Sequence, residues 1–167
     1  MNTTQILSIM MHSITPPCVF TGVFPRDRIP TITQFPCCFI LNSDSSNQPG
    51  SHWLAIYLPN DCCLEFFDSY ALPPSFYGFS FTSTISNNKL LQSNSSNVCG
   101  QYCIFYLIQR SRGYSMRDIQ NMFCLDSNWN DMRVANFVQK YFQHPKNAPI
   151  TSSSCIQSCC ARFYSLR

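Results

Sequence analysis

The chain has 167 residues, of which 45% are hydrophobic and only 11% are charged, and its formal net charge is +3. This length suits a single domain with a buried core, and the few, scattered cations give little support for a nucleic-acid-binding protein. No apolar run approaches the roughly 20 residues that a membrane span needs, which argues against a membrane protein.

The N-terminal region lacks the features of a secretory signal. Residues 6–11 are apolar, but no basic residue precedes them, and a signal peptide needs a basic start and a longer apolar segment. Because no secretory signal is recognised, we expect the protein in an intracellular, reducing compartment, where most of its eleven cysteines are free thiols. Adjacent residues of a strand point to opposite faces, so we expect the cysteine pairs to be small core residues and to bind no metal: Cys37-Cys38, Cys62-Cys63 and Cys159-Cys160.

The chain divides into one domain and two flexible ends. Residues 1–18 are interpreted as a flexible N-terminal arm that closes at Pro16-Pro17, and residues 19–143 as the folded domain. The Ser-rich residues 144–167 show no hydrophobic periodicity, which predicts a flexible C-terminal tail.

The start of the domain is predicted to be extended. Prolines exclude a long helix between residues 20 and 36. The apolar residues 39–41 predict a short strand, and the turn-forming residues 42–50 predict a polar loop.

A β-hairpin follows. The apolar runs 53–58 and 62–67 flank a Pro-Asn-Asp turn and predict two buried strands. His52 stands at the entry of the first strand and Asp68 at the exit of the second. Because an antiparallel hairpin brings these two ends together at one edge, we expect His52 to contact Asp68.

A helix is predicted over residues 98–112. Its apolar residues recur at helical spacing, Asn97 can cap its start, and Gly113 suits its end. Cys99 then lies in the first turn, where the helix dipole and free N–H groups lower the pKa of a thiol. Gly100 leaves room beside the cysteine for a substrate backbone.

The remaining elements are shorter or lie near the C-terminus. A loop over 71–81 and a short strand at 90–92 precede the helix, and helices over 115–124 and from Asp126 or Ser127 to about Phe142 follow it. Cys103 and Cys124 are expected in the core. An apolar stripe on the last helix is also predicted to face the core: Trp129, Met132, Phe137, Val138 and Tyr141.

Four residues along this path form a possible catalytic set. Cys99 can act as a nucleophile once it is a thiolate, and His52 can act as its base. Asp68 can hold the imidazole in the useful tautomer, and Gln92 can donate a hydrogen bond to a developing oxyanion. The sequence therefore predicts nucleophilic catalysis by a thiol.

Each residue also has a structural alternative. A cysteine at a helix start is often a buried apolar residue, and a histidine before a strand is often an edge residue in solvent. Gln92 has an alternative as a surface amide, and Trp53 as core packing that seats the histidine rather than as a wall of the substrate groove. Glu65 is the rival carboxylate, which an intact strand places on the face opposite Asp68.

The local sequence carries a family resemblance. His52-Trp53, the segment "FFDSY" around Asp68, and Gln92 seven residues before Cys99-Gly100 resemble the adenovirus-type cysteine proteases, the adenain family. The segments "GVFPRDRIP", "FILNSD", "PGSHWLAIYL", "EFFDSYALPP" and "VCGQYC" are similar to the adenain-like proteases of Polinton/Maverick transposons and adintoviruses. The resemblance spans residues 22–142, and the SUMO-specific proteases share the same residue order more distantly.

The resemblance implies an α+β fold in which the nucleophile opens a central helix packed on a mixed sheet. It implies Cys99 as nucleophile, His52 as base, Asp68 as orienter, and Gln92 with the Cys99 backbone N–H as oxyanion donors. The adenovirus relative has Glu where this chain has Asp68, which changes the reach by one methylene. The segment between Gln92 and Cys99 lacks a glycine found in several relatives.

The implied activity is that of a monomeric cysteine endopeptidase that cuts at small residues, commonly after Gly, in precursor or capsid proteins of a virus or virus-like transposon. Its substrates are expected to bind in an extended conformation at Gly50, Trp53 and Gly100. No metal or cofactor is expected, although the adenovirus relative is stimulated by DNA and a peptide. Two alternatives stay open: a protease that removes ubiquitin-like proteins, and a degenerate copy that only binds peptides.

Overall fold

The computed structural model describes residues 1–143, so the predicted C-terminal tail at 144–167 lies outside the described residues. Four α-helices, one 3-10 helix and five strands follow one another along these residues. In chain order they are α1 (Thr3–Ser13), β1 (Val19–Phe24), β2 (Cys37–Asn42), β3 (Trp53–Asn60), β4 (Cys63–Phe67), the 3-10 helix (Pro74–Tyr77), β5 (Thr84–Ser86), α2 (Cys99–Ser111), α3 (Met116–Asn121) and α4 (Ser127–Gln143).

The strands form one mixed sheet in the order β1-β2-β3-β4-β5. The two outer pairs, β1 with β2 and β4 with β5, are parallel, and the inner pairs β2–β3 and β3–β4 are antiparallel. The predicted α+β fold with a mixed sheet packed against helices is confirmed, as is the hairpin of β3 and β4. The strand predicted at 90–92 is wrong: this segment is irregular, and the N–H groups of Leu91 and Gln92 both donate to the Ser69 carbonyl.

Both faces of the sheet are covered. Alternate residues of β3 point to opposite sides, with Ala55 and Tyr57 in the core under the helices, and Leu54 and Ile56 in a second, smaller core. The larger core centres on α2, whose residues 102–108 are all buried. Side chains on all sides of α2 are buried, which explains why most of them are apolar. This packing also fixes the position of the N-terminus of α2.

The prediction of a flexible N-terminal arm is wrong for α1. Asn2 and Gln5 form a reciprocal capping box, with the Gln5 N–H donating to Asn2 Oδ1 at 2.9 Å and the Asn2 N–H donating to Gln5 Oε1 at 3.0 Å. Ile6, Ile9 and Met10 are buried in the main core. The cap and the spacing of these three residues are helix signals in the sequence, and the interpretation of residues 1–18 as an arm does not use them.

Two details of the helices differ from the prediction. The N-cap of α2 is Val98, not Asn97, and it makes no side-chain cap bond. On α4, Trp129 and Met132 are exposed to 42% and 56%, because Asn130 and Asp131 occupy the buried side of its first turn. These polar residues replace the expected apolar stripe there.

The cysteines are only partly core residues. Cys18, Cys37, Cys38 and Cys103 are buried, as the core interpretation predicts. Cys62 is exposed, and Cys63 and Cys124 are half-buried, so that interpretation is wrong for these three. All eight cysteines among residues 1–143 are free, and no group of three or more metal-ligating side chains occurs in this range. No helix within it is long and apolar enough to cross a membrane.

Candidate active site

The β3–β4 hairpin brings His52 and Asp68 together. His52 directly precedes β3 and Asp68 directly follows β4, and the antiparallel register aligns these two ends. His52 Nε2 lies 2.7 Å from Asp68 Oδ1. The contact that the sequence predicted is therefore confirmed, and it follows from the hairpin alone.

Asp68 is fully buried and held by several donors. Its Oδ1 accepts the Tyr70 N–H at 3.1 Å, and its Oδ2 accepts the Leu72 N–H at 3.1 Å and the Tyr77 hydroxyl at 2.8 Å. The Asn87 side chain bonds to the backbone N–H and carbonyl of Asp68 at 2.8 and 2.7 Å. A buried carboxylate needs such donors, and here they also fix the direction in which it faces His52.

Two tyrosines stack on the imidazole of His52. The Tyr70 ring lies 5.1 Å away at an interplanar angle of 25°, and the Tyr77 ring 5.8 Å away at 16°. Burial and the charge of Asp68 hold the pKa of Tyr77 above its usual range, so its hydroxyl remains a donor to the carboxylate. In the sequence Tyr77 falls only within the predicted loop over 71–81, and its role depends on a 3-10 turn that has no hydrophobic periodicity.

Cys99 opens α2 and lies against His52. Because Asp68 occupies Nε2, the other ring nitrogen, Nδ1, is the one left for the Cys99 thiol, which lines the same cleft as His52. Burial disfavours the thiolate, but the hydrogen bond and charge of His52 outweigh it and lower the pKa of Cys99. Backbone hydrogen bonds from Trp53 and Gly100 act in the same direction.

The pKa of His52 shifts in the opposite direction to that of Cys99. Burial disfavours the imidazolium, but hydrogen bonds to Asp68 and Cys99, and their negative charges, raise the pKa of His52 to about 9. A lowered thiol pKa beside a raised imidazole pKa favours transfer of the thiol proton to the imidazole. The thiolate formed in this way is the nucleophilic form of cysteine.

Gln92 lies in the same cleft as His52 and Cys99, but its amide is already paired. Its Oε1 accepts the Ser69 hydroxyl at 2.7 Å, and its Nε2 donates to the Ser96 carbonyl at 2.9 Å and the Ser96 hydroxyl at 3.2 Å. The alternative of a surface amide is wrong, since Gln92 is buried. Its role as an oxyanion donor stays a prediction, and it requires one of the bonds to Ser96 to open.

We expect Gln92→Ala to lower kcat for peptide cleavage by about 10²–10³-fold, the usual effect of removing one oxyanion donor. The KM should change less, because the oxyanion forms only in the transition state. Alkylation of Cys99 by iodoacetamide should keep the wild-type rate, since no oxyanion forms in that reaction. An unchanged kcat in a variant with normal alkylation would contradict the role. Ser96→Ala is the companion variant, and it should retain activity because it removes one of the two acceptors of the Gln92 amide and leaves the amide itself in place.

Two clefts meet at Cys99. One, of about 480 Å³, includes His52, Tyr70, Gln92 and Cys99 in its lining. The other, of about 530 Å³, is lined by Cys99 and by predicted substrate residues Gly50 and Trp53, but not by His52. Together they give an extended substrate a path across the sulfur.

A side chain would fit poorly at either of the two glycines predicted to bind substrate. Gly50 has a φ of 91°, and a Cβ there would lie 2.7 Å from Asn42 Nδ2. A Cβ on Gly100 would lie 3.2 Å from Trp53 Cδ1 and 3.3 Å from Met1 Cβ. The cleft wall is therefore closely packed where it reaches the nucleophile.

The rival carboxylate and histidine lie elsewhere. Glu65 pairs with Arg110 Nε and Nη2 at 2.7 and 2.9 Å and accepts the Tyr106 hydroxyl at 2.6 Å, which indicates a structural ion pair. His12 is exposed on α1, and His144 lies outside the described residues. His52 and Asp68 are thus the pair that faces Cys99.

No family model and no curated protein matches the chain. Similar solved structures include ChlaDub1 from Chlamydia trachomatis, at 21% identity and a TM-score of 0.45, covering 61% of this chain and 51% of that chain. The ASFV pS273R protease has 27% identity and a TM-score of 0.40, covering 59% and 44%. The central domain of the uncharacterized Lpg1148 protein from Legionella pneumophila has 12% identity and a TM-score of 0.46, covering 84% and 97%.

This chain therefore spans about half the length of the first two structures.

Proposed function

We propose that this chain is a cysteine endopeptidase with Cys99 as nucleophile, His52 as acid and base, and Asp68 as orienter. The observation that carries the proposal is the 2.7 Å bond between Asp68 and His52 in a cleft that His52 and Cys99 line together. The lowered pKa of Cys99 and the raised pKa of His52 support it.

The reaction follows from the positions of these groups. The Cys99 thiolate attacks the carbonyl carbon of the scissile amide, and a C–S bond forms while the oxygen becomes an oxyanion. The His52 imidazolium gives its proton to the amine nitrogen, the C–N bond breaks, and an acyl-enzyme remains. Neutral His52 then takes a proton from water, whose hydroxyl attacks the thioester and releases the acid and the thiolate.

The cleft supports a substrate that is extended and narrow next to the scissile bond. Trp53 and Met1 approach the backbone at Gly100, so a bulky side chain has little room beside Cys99. By the family resemblance we propose cleavage after small residues, commonly Gly, in precursor or capsid proteins of the element that encodes the chain.

A second candidate is a protease that removes ubiquitin-like proteins. The same narrow passage at Gly100 suits the Gly-Gly end of such a protein. The two candidates share their chemistry and differ in whether a folded domain must dock beside the cleft.

Three substrates separate the candidates. The purified protein is incubated with unstructured peptides that contain Gly-Gly or Gly-Ala bonds, and with ubiquitin and SUMO precursors, with and without DNA. We expect the wild-type protein to cleave the peptides and the Cys99→Ala variant to leave them uncut. Cleavage confined to the ubiquitin-like precursors would favour the second candidate, and peptide binding by a folded protein without any cleavage would instead indicate a binding module.

A further inference from the structure

We infer that residues 1–3, which lead into α1, form a wall of the cleft for the acyl half of the substrate and select small, uncharged side chains there. This inference rests on the proposed function, because it assigns a part of the substrate to each cleft. It gives a specificity role to a helix that contributes no group to the proposed chemistry.

The position of His52 decides which cleft holds which half of the substrate. The leaving amine must lie beside the imidazolium that protonates it, and His52 lines only the 480 Å³ cleft. The acyl half stays bonded to Cys99 and must extend the other way. The 530 Å³ cleft, which reaches Cys99 without His52, is therefore the acyl cleft.

The start of α1 is held against this cleft at two points. Trp53 Nε1 donates to the Met1 carbonyl at 3.1 Å, and the Met1 side chain lies against Gly100. The Asn2–Gln5 capping box fixes the turn that carries Met1. The buried residues of α1 anchor the rest of the helix in the core: Ile6, Ile9 and Met10.

The acyl cleft differs from the leaving-group cleft in charge. The leaving-group cleft includes Arg26 and Asp44. Apart from Cys99 itself and the α-amino group of Met1, the residues that line the acyl cleft carry no charge. A charged substrate side chain would lose water there without gaining a partner of its own, which is unfavourable.

The test measures alkylation of Cys99 by peptidyl chloromethyl ketones, in which the thiolate forms a C–S bond and chloride leaves. Probes with Gly, Leu or Glu next to the reactive group are compared with iodoacetamide, which needs no cleft. In the wild type we expect the Gly probe to react about 10–100-fold faster than the Leu and Glu probes, the range over which a small pocket discriminates by size.

The variant Asn2→Ala/Gln5→Ala removes the capping box that fixes Met1. We expect its preference for Gly over Leu to fall by about tenfold, with an unchanged rate for iodoacetamide. The matched control is Ser115→Ala/Asp118→Ala, which removes the equivalent capping box of α3. The residues of that box do not line either cleft, so the control should keep the wild-type preference.

A second variant, Trp53→Phe, removes the indole N–H that holds the Met1 carbonyl and should relax the preference in the same direction. No preference in the wild type, or a wild-type preference in both variants, would overturn the inference. The peptide cleavage assay is separate from this one. A preference that depends on α1 in a protein that cleaves no peptide would support the wall and contradict the endopeptidase.

Discussion

Cys99→Ala is expected to lower the rate of peptide cleavage by at least about 10⁴-fold while the protein stays folded. The thiolate is the only group of the site placed to form a covalent bond with the carbonyl carbon, and removing a nucleophile of this kind typically costs 10⁴–10⁶-fold in kcat. The substitution also removes a half-buried polarisable atom that packs against His52, so its effect on folding should be small. Steady-state cleavage of a fluorogenic peptide, with thermal unfolding of both proteins, measures the two effects separately.

The matched control for this variant is Cys62→Ala. It makes the same chemical change at an exposed thiol in the turn between β3 and β4, outside both clefts. We expect wild-type activity from it. Cleavage by Cys99→Ala near the wild-type rate would remove Cys99 from the mechanism, and loss of activity in Cys62→Ala with Cys99 intact would point to another thiol.

The hairpin and the helix that carry the proposed catalytic set could be predicted because their signals are local. Two apolar runs around a turn place His52 and Asp68 at the same edge, and helical spacing after residue 98 places Cys99 in a first turn. Pairing of β3 with β4 then brings His52 and Asp68 together without any further information. The contact between His52 and Asp68 follows from these facts.

The groups that hold Asp68 and Gln92 could not be predicted in this way. Tyr77 and Asn87 reach Asp68 from segments without periodicity, and nothing in their local sequence indicates a partner nine or nineteen residues away. The pairing of the Gln92 amide with Ser96 is also invisible in the sequence. These are side-chain contacts that exist only once the loops are folded.

The polar start of α4 illustrates the same limit. The predicted apolar stripe fails at Trp129 and Met132 because Asn130 and Asp131 are the buried residues there. Asn130 Nδ2 donates to the Leu91 carbonyl at 3.3 Å. The Tyr102 hydroxyl lies 3.0 Å from the same carbonyl and 2.9 Å from Asp131 Oδ1, and it can donate to either. This network holds the backbone beside Gln92. The start of α4 therefore packs against the domain through polar residues, where the sequence predicted apolar ones.

His52→Ala is expected to lower kcat by about 10⁴–10⁶-fold, because it removes both the proton donor for the leaving amine and the base for water. In the wild type, activity should fall as the pH rises through about 9, where His52 loses the proton that the amine needs. His12→Ala is the matched control, since His12 is exposed on α1 and lines neither cleft, and it should keep the wild-type pH profile.

The same variant should change the reactivity of Cys99 without any substrate. In the wild type, His52 holds the pKa of Cys99 low, so iodoacetamide should label Cys99 ahead of the other thiols at about pH 6.5. Without His52, burial is the main influence on the pKa of Cys99, and burial raises that pKa. At least two pH units below an ordinary thiol pKa of about 8.5, the thiolate fraction is about 1% or less, so labelling should fall by up to about 100-fold. Near pH 10 the two proteins should converge. Equal labelling of Cys99 in both proteins at about pH 6.5 would show that His52 does not activate the thiol.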